Sequence, residues 1–406
     1  MPGCIRSAGI RPYHMTADEI AAGWVFDQQG VRGPLPRLAA GIESPLSALQ
    51  ALLRDWMLQG KCIVSFSGGR DSSALLAVAC QVARSSGLPP PVALTLRYRN
   101  APGTEESEWQ EMVIRHLAVE DWLKLDLRSE STDLLGGPAS SSLRQHGIFW
   151  PPALHAASAW LDHARGSTLI TGDGGDEILG PWRTTALRQV IRILRRRPKA
   201  LGLDALGQLR SDFTSQRRRQ AAVRSRLESE GMLSWLQDAP RDRLLNMLAD
   251  ELADLPLSWR ESIRLHPDRR RLVLGAQSRA ALGADHDVTY EHPFLHTRFV
   301  DAVARDGGAL GYPDRTAAMH RIFSGLLPNE LLSRSTKASF NHAYFGALTR
   351  QFAQSWSGDG VDRDVVKVEV LKSLWGGDLP PAGTLPLLQS AWLVSHGLPT
   401  SGTLWT

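Results

Sequence analysis

The feature that most constrains the fold of this chain is an apolar run that ends in glycines and leads into a helical pattern. The run is "CIVSF" (62–66), the glycines are Gly68 and Gly69, and the helical pattern "SSALLAVACQVARSSG" ends at Gly87. A short apolar run bounded by glycine is typical of a buried strand, and a glycine after the last apolar position is a helix stop. This order of strand, turn and helix predicts the first unit of an α/β fold.

The same order of elements continues downstream. Further strands are predicted at 91–97, at 122–127 and at the start of "STLITGDGGDE" (167–177), and helices are predicted in "EESEWQEMVIRHLAV" and "ALHAASAWLDHARG". Strands that alternate with helices at this spacing indicate a parallel, doubly wound sheet. Ligands of such sheets bind beyond the carboxyl ends of the strands. The two glycine clusters, at 68–69 and 172–175, are therefore expected at one edge.

The sequence divides into three parts. Residues 1–45 form a turn-rich N-terminal extension, residues 46–182 an α/β core, and residues 183–406 a mostly helical portion that completes the substrate site. Residues 183–226 are strongly basic, with runs such as "LRRRPK" and "SQRRRQ". This region is interpreted either as a solvated helical face or as a docking surface for an acidic peptide or another polyanion.

Composition excludes several classes of protein. The three cysteines of the 406 residues, Cys4, Cys62 and Cys80, are scattered and odd in number, which fits neither a disulfide framework nor a zinc cluster. We therefore expect a reducing, cytoplasmic location. No apolar segment resembles a signal peptide or a membrane span, so neither is expected.

The loop "SFSGGRDSS" (65–73) has the features of an anion site. Gly68 and Gly69 allow a ligand to approach the backbone closely, and the helix that follows begins with free N–H groups, which favour phosphate. Asp71 would repel a phosphate unless a cation lay between them, and magnesium prefers carboxylate and phosphate oxygens. Hydroxyl groups are supplied by Ser67, Ser72 and Ser73. The structural alternative is a Gly-Gly turn with a capping serine.

The second loop, "TGDGGDE" (171–177), crowds three carboxylates together at Asp173, Asp176 and Glu177. Crowded carboxylates repel each other unless a metal or a shared proton intervenes. If both loops share one strand edge, Asp71 and Asp176 would bind one magnesium ion from two sides. The alternative is an acidic surface turn.

These segments resemble known families. The first loop resembles the pyrophosphate loop of the ATP-pyrophosphatase superfamily, whose fold is of the HUP type. The second resembles the G-E-G-x-D-E segment of the asparagine synthetase C-terminal domain, a family that includes β-lactam synthetases and lasso-peptide cyclases. "YEHPFLHTRFV" (290–300) and "GLLPNELLSRSTKASF" (325–340) are similar to two later segments of the family, so the resemblance covers about residues 60–345.

The resemblance implies ATP and Mg²⁺ as cofactors and an acyl-adenylate as the intermediate. Asp71 and Asp176 would hold the magnesium, Lys337 would stabilise the charged transition states, and Asp173 would orient or deprotonate the amine. The residues placed against the nucleotide are Ser65, Ser67, Gly68, Gly69, Asp71, Ser72, Leu96, Gly172 and Gly174.

The sequence also departs from the family pattern. Only about 60 residues precede the first loop, and Cys4 follows Met-Pro-Gly, so we expect no glutaminase domain and no glutamine hydrolysis by this chain. Asp173 stands where asparagine synthetases have glutamate and β-lactam synthetases have tyrosine, and "PFLHTR" replaces "PFLDHR". Both changes put aspartate as the substrate in doubt.

The sequence thus predicts an ATP-dependent ligase that forms AMP and pyrophosphate and joins a carboxylate to an amine. We favour a tailoring or macrolactam-forming enzyme acting on a peptide or specialised metabolite, with an acidic peptide, a carrier or a leader-binding protein as a partner. The alternative is a stand-alone synthetase using ammonia from solution or from a separate glutaminase. A non-catalytic nucleotide-binding scaffold and an RNA-modifying enzyme are alternatives of other classes. We expect no membrane partner, and no nucleic acid, because sulfur-handling cysteines are missing.

Overall fold

The computed structural model describes residues 14–27, 43–99, 101–180, 216–253, 258–336, 338 and 340–399. The helices of these ranges are numbered in chain order. They are α1 (Ala17–Ala22), α2 (Pro45–Met57), α3 (Arg70–Ser86), α4 (Ser107–Leu117), α5 (Ser129–Thr132), α6 (Gly137–His146), α7 (Gly175–Leu179), α8 (Gln216–Ser229), α9 (Asp238–Ala253), α10 (Trp259–Arg264), α11 (Arg270–Asp285), α12 (Thr297–Gly307), α13 (Arg315–Phe323), α14 (Asn329–Leu332), α15 (Asn341–Tyr344), α16 (Ala347–Ser355), α17 (Val368–Trp375) and α18 (Leu385–Ser395). Shorter 3₁₀ segments are Pro102–Thr104, Pro152–Ala159, Leu161–Ala164, Pro293–Leu295 and Ala382–Thr384.

The strands form one parallel five-stranded sheet. They are β1 (Cys62–Ser65), β2 (Val92–Tyr98), β3 (Trp122–Leu127), β4 (Ser167–Ile170) and β5 (Val288–Glu291), in the order β3-β2-β1-β4-β5. The chain moves outward from β1 to β3, then crosses back to β4 on the other side of β1. This reversal is a topological switch point, where open α/β sheets bind ligands. The predicted doubly wound α/β fold is confirmed.

Helices cover both faces of the sheet because successive side chains of each strand point in opposite directions. Val64 and Ile170 face a core shared with α2 and α3. Ile63 and Leu169 face the opposite core, which includes Leu161 of a 3₁₀ segment and Leu282 of α11. The strands are apolar on both faces, as expected for a sheet buried between two helical layers.

A third core joins the later helices to the beginning of the chain. It contains residues of α9, α17 and α18 together with Met15, Ile20 and Phe26 from the segment 14–27. The indole N–H of Trp235 donates to the carbonyl of Ala21 at 2.8 Å. None of the helices within the described ranges has the length and apolarity needed to cross a membrane.

Two element predictions were wrong. The pattern "ALHAASAWLDHARG" does not form an α-helix but the 3₁₀ segments Pro152–Ala159 and Leu161–Ala164, which meet at Trp160, whose φ of −136° is not helical. The side chain of His155 forms hydrogen bonds with the hydroxyl of Ser142 and with the backbone N–H of Phe149. These bonds hold the segment against α6. Strand β5 was not predicted, because it lies beyond residue 182 in the part that was interpreted as mostly helical.

Candidate active site

The two glycine loops lie side by side at the carboxyl edge of the sheet. Strand β1 pairs directly with β4, with Val64 opposite Ile170, so the residues that follow each strand emerge together. A Cβ added to Gly172 would lie 3.3 Å from the Cβ of Asp71, and one added to Gly175 would lie 2.5–2.8 Å from its carboxyl atoms. Glycine at these positions therefore lets the second loop pack directly on Asp71.

The first loop is shaped by its own serines. Gly68 has a φ of +86°, a conformation that favours glycine. The hydroxyl of Ser72 accepts from the N–H of Ser67 at 3.2 Å and donates to the carbonyl of Gly69 at 3.2 Å. Gly69 is the N-cap residue of α3 and makes no side-chain capping hydrogen bond. The first N–H groups of α3 therefore remain available for an anionic ligand.

Residues from distant parts of the chain hold this loop in place. Gln110 of α4 donates to the carbonyl of Ser67 at 3.0 Å, and the guanidinium of Arg334 donates to the carbonyl of Gly68 at 3.3 Å. Arg334 also forms a two-pronged ion pair with Glu106, and both side chains are 6% exposed. Removing either partner of such a buried pair leaves an uncompensated charge. The ion pair with Glu106 therefore positions the guanidinium of Arg334 that binds the first loop.

Arg315, at the start of α13, lies between the two carboxylates that were predicted to bind metal. Its guanidinium is 2.5 Å from Asp71 Oδ2, and its other terminal nitrogen contacts Asp176 Oδ1. The two carboxylates thus converge on one position that holds a positive charge. The remaining oxygen of Asp71, Oδ1, is buried without a hydrogen-bond partner within the described part of the chain.

This donor set fits a magnesium ion shared with a nucleotide. The unpartnered Oδ1 of Asp71 and the convergence of Asp176 on the same position supply hard oxygen ligands, which Mg²⁺ prefers. Across the ranges that the structure describes, no cluster of three or more His, Cys, Asp and Glu side chains is arranged to hold a metal. Magnesium sites of this kind obtain their other ligands from phosphate and water.

A cavity of about 910 Å³ opens at this edge of the sheet. Of the predicted site residues, its wall includes Ser65, Ser67, Gly69, Asp71, Ser72, Leu96, Gly172, Asp173 and Asp176. Gly68 and Gly174 do not line it; Gly174 faces a second, smaller cavity. Lys337 lies outside the described residues, although Thr336 and Ala338 on either side of it line the large cavity.

The lining of the large cavity is both cationic and aromatic. Arg70, Arg315 and Arg334 line it beside the first loop, and burial lowers the pKa of Arg70. Its aromatic wall, which also contains aliphatic residues, is formed by Tyr98, Leu127, Leu154, Trp160, Tyr290, Phe340 and Tyr344. The cavity therefore offers a polyanion site beside the first loop together with apolar surface.

Asp173 is held in an ion pair at the boundary of the two cavities. Its Oδ2 lies 2.9 Å from Arg279 Nε of α11 and accepts from the hydroxyl of Thr171 at 3.0 Å. Burial raises the pKa of Asp173, but the charges of Arg279 and His292 and the Thr171 hydrogen bond outweigh it, so the net pKa lies below the usual value. An ionised, ion-paired carboxylate is a weak base, which favours the orienting role over deprotonation of the amine.

The second cavity, of about 180 Å³, shares Pro151, Asp173 and Arg279 with the first. Its own walls include Glu177, Arg271 and His292. Arg271 lies 3.7 Å from Glu177, so this cavity contains two ion pairs and one imidazole. Burial lowers the pKa of His292 to about 4.

The basic region 183–226 is described only from residue 216 onward. In this part, Arg224 pairs with Glu228 and Asp242, and Arg226 lies 3.6 Å from Glu230. These arginines are thus partly neutralised by α8 itself and by α9.

The sequence did not single out four of the residues that shape this site: Arg279, His292, Arg315 and Arg334. The sequence could have indicated His292, because it follows a β-branched and aromatic run in "VTYEHPFL" that is typical of a strand. It could have indicated Arg334, because this residue lies in the family-like segment 325–340. Arg279 and Arg315 lie in helical patterns with no local signal of their position.

Comparison with known proteins agrees with this geometry. The model of a family described as "Asparagine synthase" matches residues 49–387. A search of curated proteins found no match to the chain.

Proposed function

The chain belongs to the asparagine synthase family, and on that premise we propose that it adenylates the carboxylate of a peptide or specialised metabolite and transfers the acyl group to an amine. The ATP-dependent carbon–nitrogen ligase activity is that of the family. The observation that supports the finer proposal is the large cavity, whose lining has an aromatic wall in addition to the anion-binding residues. The adenine of ATP would cover part of this apolar surface; a free aspartate would leave the rest uncovered, whereas an apolar substrate would bury it.

In this proposal ATP lies across the switch point. The N–H groups at the start of α3 and the serine hydroxyls bind its phosphates, with Arg70, Arg315 and Arg334 close by. Asp71 and Asp176 would hold magnesium, which supplies charge neutralisation at the phosphates. Lys337 would add a fixed cation where negative charge develops.

The substrate carboxylate attacks the α-phosphorus, and pyrophosphate leaves. The acyl-adenylate stays in the large cavity, where Asp173 and Arg279 border its carbonyl end. An amine then attacks the acyl carbon, and AMP leaves. The aromatic wall excludes water, which would otherwise hydrolyse the acyl-adenylate.

The amine source separates two versions of this function. An amine within the same peptide gives a macrolactam, and ammonia gives a primary amide. The small second cavity beside Asp173 supports ammonia as an alternative, because its volume suits a small amine, although the amino end of a peptide fits there as well. A separate glutaminase, a leader-binding protein, docking of an acidic peptide at 183–226 and a cytoplasmic location stay predictions from the sequence.

Exchange of labelled pyrophosphate into ATP tests the proposal. A panel of amino acids, dicarboxylic acids and short peptides is supplied without an amine, and exchange with one of them identifies the adenylated partner. Asp71→Asn is expected to lower exchange by at least about 100-fold, because it removes a carboxylate ligand of the magnesium that would neutralise the phosphates. Asp162→Asn, at an exposed aspartate outside both cavities, is the matched control. ATP binding without exchange for any acid would support the scaffold alternative instead.

A further inference from the structure

We propose that His292 accepts the proton of the attacking amine, and that the amine reaches the acyl-adenylate from the second cavity. This inference rests on the proposed function, since it concerns the second half of the same reaction. His292 lies in the segment 290–300 and the second cavity borders the loop 171–177, but the resemblance to the family gives a role to neither His292 nor this cavity.

The position of His292 follows from the sheet. Glu291, the last residue of β5, is paired with Ile170 of β4, so His292 and Thr171 leave the sheet side by side. His292 Nδ1 lies 2.7 Å from the hydroxyl oxygen of Thr171, and that hydroxyl donates to Asp173 Oδ2 at 3.0 Å. A hydroxyl that donates to a carboxylate accepts from its other neighbour. Nδ1 of His292 therefore carries the ring proton.

This tautomer leaves a lone pair on Nε2. The atom is buried, it has no hydrogen-bond partner among residues of the described ranges, and His292 is one of the residues that line the second cavity. A buried polar atom without a partner is uncommon and points to a ligand that completes it. Burial lowers the pKa of His292, so the ring is neutral at physiological pH and its Nε2 lone pair is available, while the charge of Asp173 favours the imidazolium that forms when a proton is accepted.

Asp173 is less suited to this task. Its Oδ2 is already engaged by Arg279 and by the Thr171 hydroxyl, whereas Nε2 of His292 has no partner among the described residues. Asp173 is suited to a supporting role, because its charge reaches His292 through the Thr171 hydroxyl and would stabilise the imidazolium. The side chains of Thr171, Asp173 and His292 thus form a relay that ends at a buried acceptor without a partner among the described residues.

The attack of the amine replaces one bond at the acyl carbon by another. The nitrogen lone pair of the amine forms the new C–N bond, and the bond between the acyl carbon and the AMP oxygen breaks with its electrons leaving on AMP. The nitrogen becomes positively charged as the bond forms, and one of its protons passes to Nε2 of His292. The imidazolium then releases that proton to water. General-base help of this kind contributes about 10²–10⁴-fold.

The size of the second cavity limits the amine. Its volume of about 180 Å³ corresponds to roughly six water molecules at about 30 Å³ each. It accommodates ammonia or the amino end of a longer chain, but not a second bulky substrate. It meets the large cavity at Pro151, Asp173 and Arg279, next to the expected acyl group.

Hydroxylamine and ammonia as probe amines separate the roles. Hydroxylamine is largely uncharged and strongly nucleophilic at neutral pH, so it depends little on a base. Both amines are supplied with the acid that supports pyrophosphate exchange. We expect the rate of hydroxamate formation by His292→Ala to lie within about threefold of the rate of the unmodified enzyme. We expect its rate of ammonia-dependent amide formation to fall by at least about 100-fold. His116→Ala, which removes an exposed imidazole outside both cavities, is the matched control and should leave both rates unchanged.

Two results would overturn the role of His292. One is ammonia-dependent amide formation by His292→Ala at the unmodified rate. The other is an equal loss of the rates of amide formation, hydroxamate formation and pyrophosphate exchange, which would make the role of the residue structural.

¹⁵N NMR of the free enzyme adds a test that needs no substrate. We expect a proton on Nδ1 of His292 and none on Nε2, and the opposite tautomer would contradict the relay. If the unmodified enzyme supports neither exchange nor hydroxamate formation with any acid, the proposed function fails, while the NMR result still decides the relay.

Discussion

Arg315 shows how a single residue determines the resting state of the site. Its guanidinium neutralises Asp71 and Asp176 where the two loops meet. Without a cation between them, two such carboxylates repel each other and the structure around them becomes less stable. In the proposed function, Mg²⁺ held by Asp71 and Asp176 would take over this neutralisation, and Arg315 would be available to pair with phosphate.

Arg315→Gln is therefore expected to lower stability in the absence of divalent metal, by about 1–3 kcal/mol, because it removes the charge and the hydrogen bonds that Arg315 supplies to the two carboxylates. Adding Mg²⁺ should restore much of this loss, and the unmodified protein should respond less. Thermal unfolding in EDTA and in MgCl₂ measures both effects. Arg321→Gln, on the same helix but in an exposed pair with Asp306, should show no such metal response. Equal responses of the two variants would contradict the prediction.

At the scale of residues, the sequence predicts what is encoded locally. Asp71 and Asp176 stand in glycine-rich loops that follow strands, so their meeting at one edge is foreseeable from the motif and the sheet rule. Arg315 lies 244 positions from Asp71, in a helix whose pattern only indicates burial against a core. Its contact depends on how α13 packs, which local periodicity does not reveal.

At the scale of elements, the short helix α7 positions the second loop. Gly175 is the first residue of α7, and Gly174 before it has a φ of +88°. The N-terminal turn of α7 therefore presents backbone rather than side chain to the carboxylate of Asp71. A side chain there would compete with Asp71 for the same space.

Gly175→Ala is expected to displace the Asp71 carboxylate, because the new Cβ would lie 2.5–2.8 Å from its atoms. Pyrophosphate exchange should fall by about 100-fold, the order expected for a misplacement near 1 Å. Stability should change little, since alanine is favoured over glycine in helices by up to about 1 kcal/mol. The matched control is Gly137→Ala at the start of α6, where a Cβ meets open space. Unchanged exchange in Gly175→Ala would sink this account of the loop.

Elements with a strong local pattern were predictable, and those set by long-range packing were not. Helix α3 ends before Gly87 as its pattern predicts, because that glycine adopts the left-handed conformation of a helix cap. The 3₁₀ segments at 152–164 have an apolar, alanine-rich sequence that suits an α-helix, but contacts of His155 with α6 determine their form. Strand β5 has four residues and obtains its identity from pairing with β4.

At the scale of the whole molecule, the N-terminal segment supports the site from a distance. Glu19 of α1 is 3% exposed, and its carboxylate accepts from Arg270 Nε at 2.8 Å and from Arg270 Nη2 at 2.9 Å. Arg270 begins α11, the same helix that carries Arg271 and Arg279 to the second cavity. The start of the chain thus anchors the helix that brings cations to Asp173.

Glu19→Ala tests this connection. Breaking a buried ion pair by removing one partner costs about 3–5 kcal/mol, because the other charge is left without compensation. We expect a lower melting temperature and faster hydrogen exchange in residues 14–27 and at the start of α11. Asp18→Ala, which removes the exposed partner of Arg243 from the same helix, is the matched control and should have a much smaller effect.

Amide formation should weaken more than pyrophosphate exchange in Glu19→Ala, because α11 contacts the amine side of the site while the nucleotide loops follow β1 and β4. Equal effects of the two substitutions on stability and exchange would show that the segment does not support α11.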